Sequence, residues 1–378
     1  MSAIRSVAVE SAPVTWAPHC GSSETGLHQL APYIGKLKSS IAETLVESFT
    51  KPGDLVLDPF CGSGTVPLEC VRRQRRAIAA DRNPYAVVLT RAKLQPPDSA
   101  HAAHDMLEKR LSDAKQQRAE VLIAPDWVRR FFDPETLAEA LAFADECIRS
   151  DDAFLLSCLL GILHHQRPGF LSYPSSHLVP YLRERKYPRK DYPEMYETRA
   201  LAPRMKAKID RVFKRSPGQI VRGSGVVMPV SVEHLELPTE VDVIITSPPY
   251  MNALDYVRDN RLRMWFLDRT TANYSPEPTE HRRDFSIMSG AFIQNALGRL
   301  RRGGRCVLVV GETVRRKRVT SHPAEVLLAE IESQMPDMCL ERVIEDVIPD
   351  VRRTRRDGAA TKRELILVLR RRGESEAR

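Results

Sequence analysis

Two short stretches of this 378-residue chain combine residue types that suit chemistry at a flat, nitrogen-bearing substrate. In "VDVIITSPPY" six mostly apolar residues run into Ser247, Pro248, Pro249 and Tyr250. Proline fixes φ near −65° and has no N–H, so a strand ending this way becomes a stiff turn whose carbonyls lack ladder partners. A serine hydroxyl beside such carbonyls can accept hydrogen bonds from an exocyclic amino group, and the Tyr250 ring offers a face for a base taken out of its stack. An aromatic amine is a weak nucleophile because its lone pair is delocalised. Acceptors aimed at its hydrogens favour a tetrahedral nitrogen and free that pair for an electrophilic carbon. Taken alone, the same four residues equally describe a proline-terminated strand with a tyrosine packed on the core.

The second stretch is "VLDPFCGSGT", residues 56–65. An acid ending a strand, then Gly62 and Gly64 leading into a helix, lets a ligand approach backbone that has no Cβ. A nucleoside-triphosphate loop requires Gly-Lys-Ser/Thr, but Thr65 directly follows Gly64. A dinucleotide fingerprint requires a small residue where Pro67 stands. A ligand without phosphates remains, as does a merely tight turn. Asp81, at the end of the next strand and roughly twenty residues on, is placed to accept hydrogen bonds from ribose hydroxyls.

The elements that must position these residues are legible around them. Apolar positions 37, 41, 45, 46 and 49 predict a helix over 37–50, stopped by "KPGD". "LVLD" (55–58), the helix-compatible "VPLECVRRQ" and "AIAAD" (77–81) form a β-loop-α-β unit, the building block of a parallel sheet. From about 95 to 225 the pattern turns to amphipathic helices, including "DPETLAEALAFADECIRS" with an Asp-Pro-Glu start. Strand patterns return in "VDVIITS", "RCVLVVGE" (305–312), "CLERVIEDVI" (339–348) and "ELILVLRR" (364–371). The division expected is a mobile segment 1–27, a first sheet part 28–95, a helical insertion 96–222 and a second sheet part 223–378. The longest apolar run, "AFLLSCLLGIL" (153–163), is too short for a bilayer and reads as a buried helix. His164 and His165, just after it, read as helix-end residues.

Seven cysteines without a CxxC pair suggest neither a disulfide framework nor a metal site, and a reducing cytoplasm fits them. The formal charge is +8. Residues 181–222 hold 13 Lys/Arg against 5 Asp/Glu, an excess equal to the net charge of the whole chain. Tyrosines and prolines interleave this run, a mixture suited to a phosphate backbone and to stacking on bases, although a solvated basic surface has the same composition. Cytosine C5-methylation is opposed by chemistry, since it needs a cysteine nucleophile, in that family one following proline, and no cysteine here follows a proline.

With these motifs in view the chain resembles the S-adenosylmethionine-dependent DNA amino-methyltransferases, which modify cytosine N4 or adenine N6. "DPFCGSGT" is similar to their first motif, Asp81 to the acid of the second and "TSPPY" to the catalytic fourth. "HQLAPYIGKLKSS" is similar to the cofactor-flanking element, and "LRRGGRCVLVVGE" to the lead-in of a late strand. The resemblance implies an α/β fold, a Rossmann-like seven-stranded methyltransferase sheet interrupted by a largely helical insertion. It implies S-adenosyl-L-methionine as cofactor and no metal. Tyr33, Asp58, Pro59, Phe60, Gly62, Ser63, Gly64 and Thr65 would border the donor; Asp81 would take the ribose, and Asn83 and Pro84 would shape the adenine pocket. Ser247, Pro248, Pro249 and Tyr250 would hold the target amine and ring. Serine at 247, where many adenine enzymes carry aspartate, is the form associated with N4-cytosine.

Many N4-cytosine enzymes place SPPY before the glycine motif, whereas here the order is reversed, with the insertion between. That makes the insertion the expected recognition region for double-stranded DNA, with Arg183, Arg185, Lys186, Arg189 and Lys190 on phosphates. Asn252, Tyr256, Arg258 and Arg261 would line the base entrance. An RNA amino-methyltransferase is the rival enzyme, and a non-enzymatic nucleic-acid-binding scaffold the third reading. The expected setting is the bacterial cytoplasm near the nucleoid, away from membranes, with a cognate restriction endonuclease acting separately; oligomeric state is left open.

Overall fold

The protein is described by a computed structural model covering residues 7–13, 16, 24–116, 124–165, 169–173, 187–215, 220, 223–249, 256–270, 282–313, 322–347 and 361–373, with backbone alone at 256–259, 282–284, 312–313 and 361–362. Its strands are β1 (Val9–Ser11), β2 (Leu55–Asp58), β3 (Arg76–Ala80), β4 (Gly225–Met228), β5 (Val241–Thr246), β6 (Leu300–Thr313), β7 (Met338–Val347) and β8 (Thr361–Arg371). The helices are α1 (Ser39–Phe49), α2 (Thr65–Arg72), α3 (Pro84–Leu94), α4 (Ala100–Lys115), α5 (Asp126–Arg129), α6 (Pro134–Arg149), α7 (Ala153–Ile162), α8 (Leu201–Phe213), α9 (Tyr256–Leu267), α10 (Arg282–Ala291) and α11 (Pro323–Gln334).

All eight strands join one sheet in the order β1-β7-β8-β6-β5-β2-β3-β4. β8 is inserted antiparallel between β6 and β7, and every other pairing is parallel. From β2 the chain runs outward through β3 and β4, then returns to β5 on the other side of β2. That reversal makes the β2/β5 boundary a topological switch point, where an open α/β sheet forms a crevice at its carboxyl ends.

The seven-stranded expectation is corrected to eight. The additional strand, β1, comes from the segment expected to be mobile, and it pairs Val9 with Val343 and Ser11 with Glu345 at the sheet edge. Arg342 reaches back to Glu10 at 3.0 Å, and Trp16 is buried. Two of the eight, β1 and β4, are only three and four residues long, too short for a periodic signal.

One face of the sheet carries α1, α2 and α3, and the other carries α10 and α11. The helical segment α4–α8 shares the core of the first face: Leu107, Phe143, Leu155, Leu159 and Ile209 cluster with Leu45, Val71 and Leu89. Backbones meet at two glycines there. A Cβ on Gly26 would lie 2.0 Å from the Val212 carbonyl oxygen, and one on Gly161 would lie 2.2 Å from that of Leu30. α7, within the longest apolar run, is buried from Phe154 to Ile162. His164 fits packing, with Nδ1 2.7 Å from the Ser172 hydroxyl and its ring edge-on to Phe131. No helix among the described residues is long and apolar enough to cross a membrane.

The tightest backbone constraint lies at the start of α2. Gly64 has φ +70°, and a Cβ there would sit 2.6 Å from Thr90 Oγ1. A left-handed conformation costs an L-residue roughly 1–2 kcal/mol before any clash. Gly64→Ala is therefore expected to destabilise the chain by about 2 kcal/mol or more in urea unfolding, whereas Gly53→Ala, also at positive φ but in open space, carries the conformational cost alone.

Candidate active site

The glycine turn is built by strand ends and held from three sides. Gly64 N–H donates to the Cys61 carbonyl at 2.8 Å, and Cys61 N–H donates to that of Ala80, tying the turn to the end of β3. From the next loop Asp81 accepts Gly62 N–H at 2.9 Å through one oxygen and Asn83 N–H at 2.8 Å through the other. A carboxylate has about four lone-pair positions, so Asp81 keeps capacity for hydroxyl donors. Asn83 then caps α3 by accepting Tyr85 N–H at 2.9 Å, with Pro84 in the first turn.

Over the turn lies Tyr33, whose ring carbon is 3.4 Å from where a Gly62 Cβ would project. Tyr33 stacks on Tyr85 at 5.7 Å between centroids, and the Tyr85 hydroxyl donates to the Pro32 carbonyl at 2.6 Å. The flanking element is anchored further by His28, 2.5 Å from buried Glu69 of α2, and by Lys36 donating to the His28 carbonyl. On the other flank, half-buried Phe60 leans on Phe292 at 6.0 Å, at the start of a π-helical turn spanning Phe292–Ala296. Pro59, Ser63 and Thr65 are buried, the last two with hydroxyls 3.1 Å apart.

The second motif arrives from the adjacent strand. β2 and β5 pair Val56 with Val243 and Leu57 with Ile244, so the two strands finish side by side. There the Thr246 hydroxyl donates to Asp58 Oδ1 at 2.6 Å, while Phe60 N–H donates to the same oxygen at 3.3 Å. Ser247 follows directly and is half-buried, Pro248 is buried and Pro249 half-buried. Two motifs about 180 residues apart in sequence are thus joined by one side-chain hydrogen bond across the switch point.

Burial pushes the Asp58 carboxyl up to about 7, against the Thr246 and Phe60 hydrogen bonds and with help from the nearby Asp81 charge. Asp81 is also raised by burial, with its two backbone donors opposing the shift.

Over residues 18–91 the chain matches the N6/N4 family described as DNA methylase. That match covers 74 of the 378 residues. The chain is 32% identical over 72 residues to the type II methyltransferase M.MjaII of Methanocaldococcus jannaschii, covering 19% of this chain and 14% of that protein. It is 44% identical over 54 residues to M.XycI of Xanthomonas campestris pv. cyanopsidis (14% and 18%). With M.Cfr9I of Citrobacter freundii it shares 46% over 50 residues (13% and 17%). The aligned stretch thus spans less than a fifth of each relative. The methyl donor of methylases of this kind is S-adenosyl-L-methionine. The residues around the glycine turn fit an adenosine-bearing ligand: a flat tyrosine face over a Cβ-free turn, with an acid retaining lone-pair capacity beside it.

Of the residues expected from sequence, Tyr33, Asp58, Pro59, Phe60, Gly62, Ser63, Gly64, Thr65, Asp81, Asn83 and Pro84 surround one turn, and Ser247, Pro248 and Pro249 end the neighbouring strand. Tyr250, Asn252, Arg183, Arg185 and Lys186 lie outside the described residues, as do the side chains of Tyr256 and Arg258. Arg261 is exposed on α9 with its guanidinium 4.3 Å over Trp127, Arg189 lies over Tyr196 at 5.3 Å, and Lys190 is exposed. Sequence reasoning missed Thr246, Tyr85, Thr90 and Lys93. The signal for the last two was available, as polar residues three apart on one face of a helix whose other residues, Arg91 aside, are apolar or aromatic.

An acid that ionises near 4 unfolded and near 7 folded weakens the fold progressively across that interval and carries the full cost above it. Asp58→Asn keeps an acceptor for Thr246 and Phe60, so the ligand-free variant should be more stable than the parent at pH 8, by on the order of 3 kcal/mol, and equal to it near pH 4. Thermal unfolding of both proteins across that range checks the sign.

Proposed function

We propose that the chain methylates the exocyclic N4 of cytosine in a short double-stranded DNA sequence, with the target base turned out of the helix. The observation that carries this reading is the Thr246–Asp58 bond, which sets the Ser247-Pro248-Pro249 turn beside the donor turn. When bound, S-adenosylmethionine supplies a methyl group made electrophilic by its sulfonium, and an amine can displace it directly.

The chain's own residues have the remaining tasks. Tyr33, Gly62 and Asp81 hold the adenosine end of the donor. The Ser247 hydroxyl and the carbonyls of the proline turn accept the amine's hydrogens, directing its lone pair toward the methyl carbon. Two successive prolines restrict the turn's rearrangement, so these acceptors are set before the base arrives. Tyr250 gives the extruded ring a face. Serine in place of aspartate at 247 leaves a neutral site, which favours cytosine N4 over adenine N6 in this reading. Arg183, Arg185, Lys186, Arg189 and Lys190 hold phosphates, while Asn252, Tyr256, Arg258 and Arg261 line the entrance. Double-stranded DNA is the partner, the bacterial cytoplasm the setting, and a separate restriction endonuclease recognising the same word the counterpart.

Donor-dependent methyl transfer into DNA, followed by nucleoside analysis that separates N4-methylcytosine from N6-methyladenine, tests the proposal. N4-methylcytosine is expected, and transfer into RNA alone would overturn it. Ser247→Ala combined with Tyr250→Ala should abolish transfer and leave donor affinity in calorimetry within about twofold. Neutralising Arg185, Lys186, Arg189 and Lys190 together should reduce the salt dependence of DNA affinity by roughly 0.9 in log–log slope for each phosphate that is no longer neutralised. An unchanged slope would take these residues off the DNA.

A further inference from the structure

Arg261 of α9 is exposed, and its guanidinium lies 4.3 Å over the ring of half-buried Trp127, the second residue of α5. The indole is itself fixed, meeting Phe131 and Trp265 edge-on at 6.4 Å each, and both of those rings are buried. A guanidinium stacked by its face keeps its five N–H groups in the plane of the fork, free for acceptors. Neighbouring arginines have theirs taken by acids. Arg269 also lies over an indole, that of Trp265 at 4.8 Å, but it bonds Asp145 at 2.5 Å, and Arg130 bonds Asp126 at 2.6 Å. No carboxylate among the described residues pairs with Arg261.

Arg263, two residues further along α9, places this pair relative to the site. It is buried, donates Nε to the Leu160 carbonyl at 3.1 Å and Nη2 to that of His164 at 3.4 Å, and its guanidinium is 5.9 Å from the centre of the Tyr85 ring. Tyr85 is the ring that backs Tyr33 over the glycine turn. Residues two apart on a helix are separated by about 3 Å along its axis and by about 200° around it. Arg263 therefore faces the donor side, while Arg261 stands at the same level on the outer face, at the rim of the crevice.

We propose that Trp127 and Arg261 form a DNA-holding element at this rim. Trp127 is the positioning residue and fixes the guanidinium by its face. Arg261 turns its fork outward to a pair of acceptors on duplex DNA, either two oxygens of a phosphate or O6 and N7 of a guanine. This rests on the chain acting on duplex DNA, and it adds Trp127 and a geometry to the entrance assigned to Arg261 above.

The test is titration of the full chain with a labelled duplex at several salt concentrations. The duplex carries the sequence that the parent methylates in genomic DNA, or mixed sequence if it methylates none. Arg261→Gln should weaken binding about tenfold and leave donor affinity in calorimetry unchanged. Arg261→Lys keeps the charge without the fork and should remain at least about threefold weaker than the parent. Trp127→Leu should weaken binding about threefold when Arg261 is present and add nothing to Arg261→Gln. With a phosphate as acceptor, Arg261→Gln lowers the log–log salt slope by about 0.9 and the methylated word is unchanged. With a guanine, the slope holds and one G·C pair of the word is relaxed.

An Arg261→Lys variant equal to the parent, losses at 127 and 261 that simply multiply, or weaker binding with neither a changed slope nor a relaxed position would each overturn the proposal. Should Trp127→Leu fail to unfold cooperatively, the comparison of Arg261→Gln with Arg261→Lys decides, because that side chain is exposed. A parent that binds duplex but transfers no methyl group would overturn the proposed function and leave these variants to decide the rim contact; a parent that binds no duplex would overturn both.

Discussion

The site depends on a hydroxyl–carboxylate bond at the junction of two strands. Thr246 and Asp58 are each the last residue of a central strand, and both are buried. Their hydrogen bond fixes how far the β5 turn stands from the β2 turn. The proposed transfer, which uses no covalent enzyme intermediate, has no other means of bringing acceptor and donor into line than holding them there. The sheet topology makes the bond possible, because only a reversal of strand order places β5 against β2 and leaves the two turns unobstructed by a crossover.

The same junction is costly in the unliganded chain. Asp81 lies close enough for its charge to disfavour ionisation of Asp58, and burial raises both acids. A few opposing contacts, from Thr246, Phe60, Gly62 and Asn83, make the arrangement tolerable. Such clustering of perturbed acids at one crevice is typical of a site held ready for charge it does not itself contain.

Much of this was legible in the sequence. The β-loop-α-β unit was readable from apolar runs of four and five residues flanking a glycine turn, and β5 through β8 from longer β-branched stretches. The glycines and Asp81 could be paired because their spacing is local. Thr246 could not be linked to Asp58, because nothing in a linear pattern tells which strand end will lie beside which across 188 residues. β1 and β4 were lost for lack of length, and the buried role of Trp16 was lost with β1. The anchoring of Tyr33 through Tyr85 and Pro32 was likewise unreadable, since it is tertiary geometry between two helix-adjacent loops.

The two glycine contacts between the helical segment and the first sheet layer bear on which parts of that segment can change. Gly26 against Val212, and Gly161 against Leu30, are backbone-to-backbone approaches with no slack for side-chain adjustment. They lock α7 and α8 to the element that carries Tyr33 over the glycine turn. Replacing the helical segment wholesale would break that seam and disturb the glycine turn with it. Change in the helical segment is therefore best tolerated at surface side chains of its helices and loops, leaving the helices that form the seam in place.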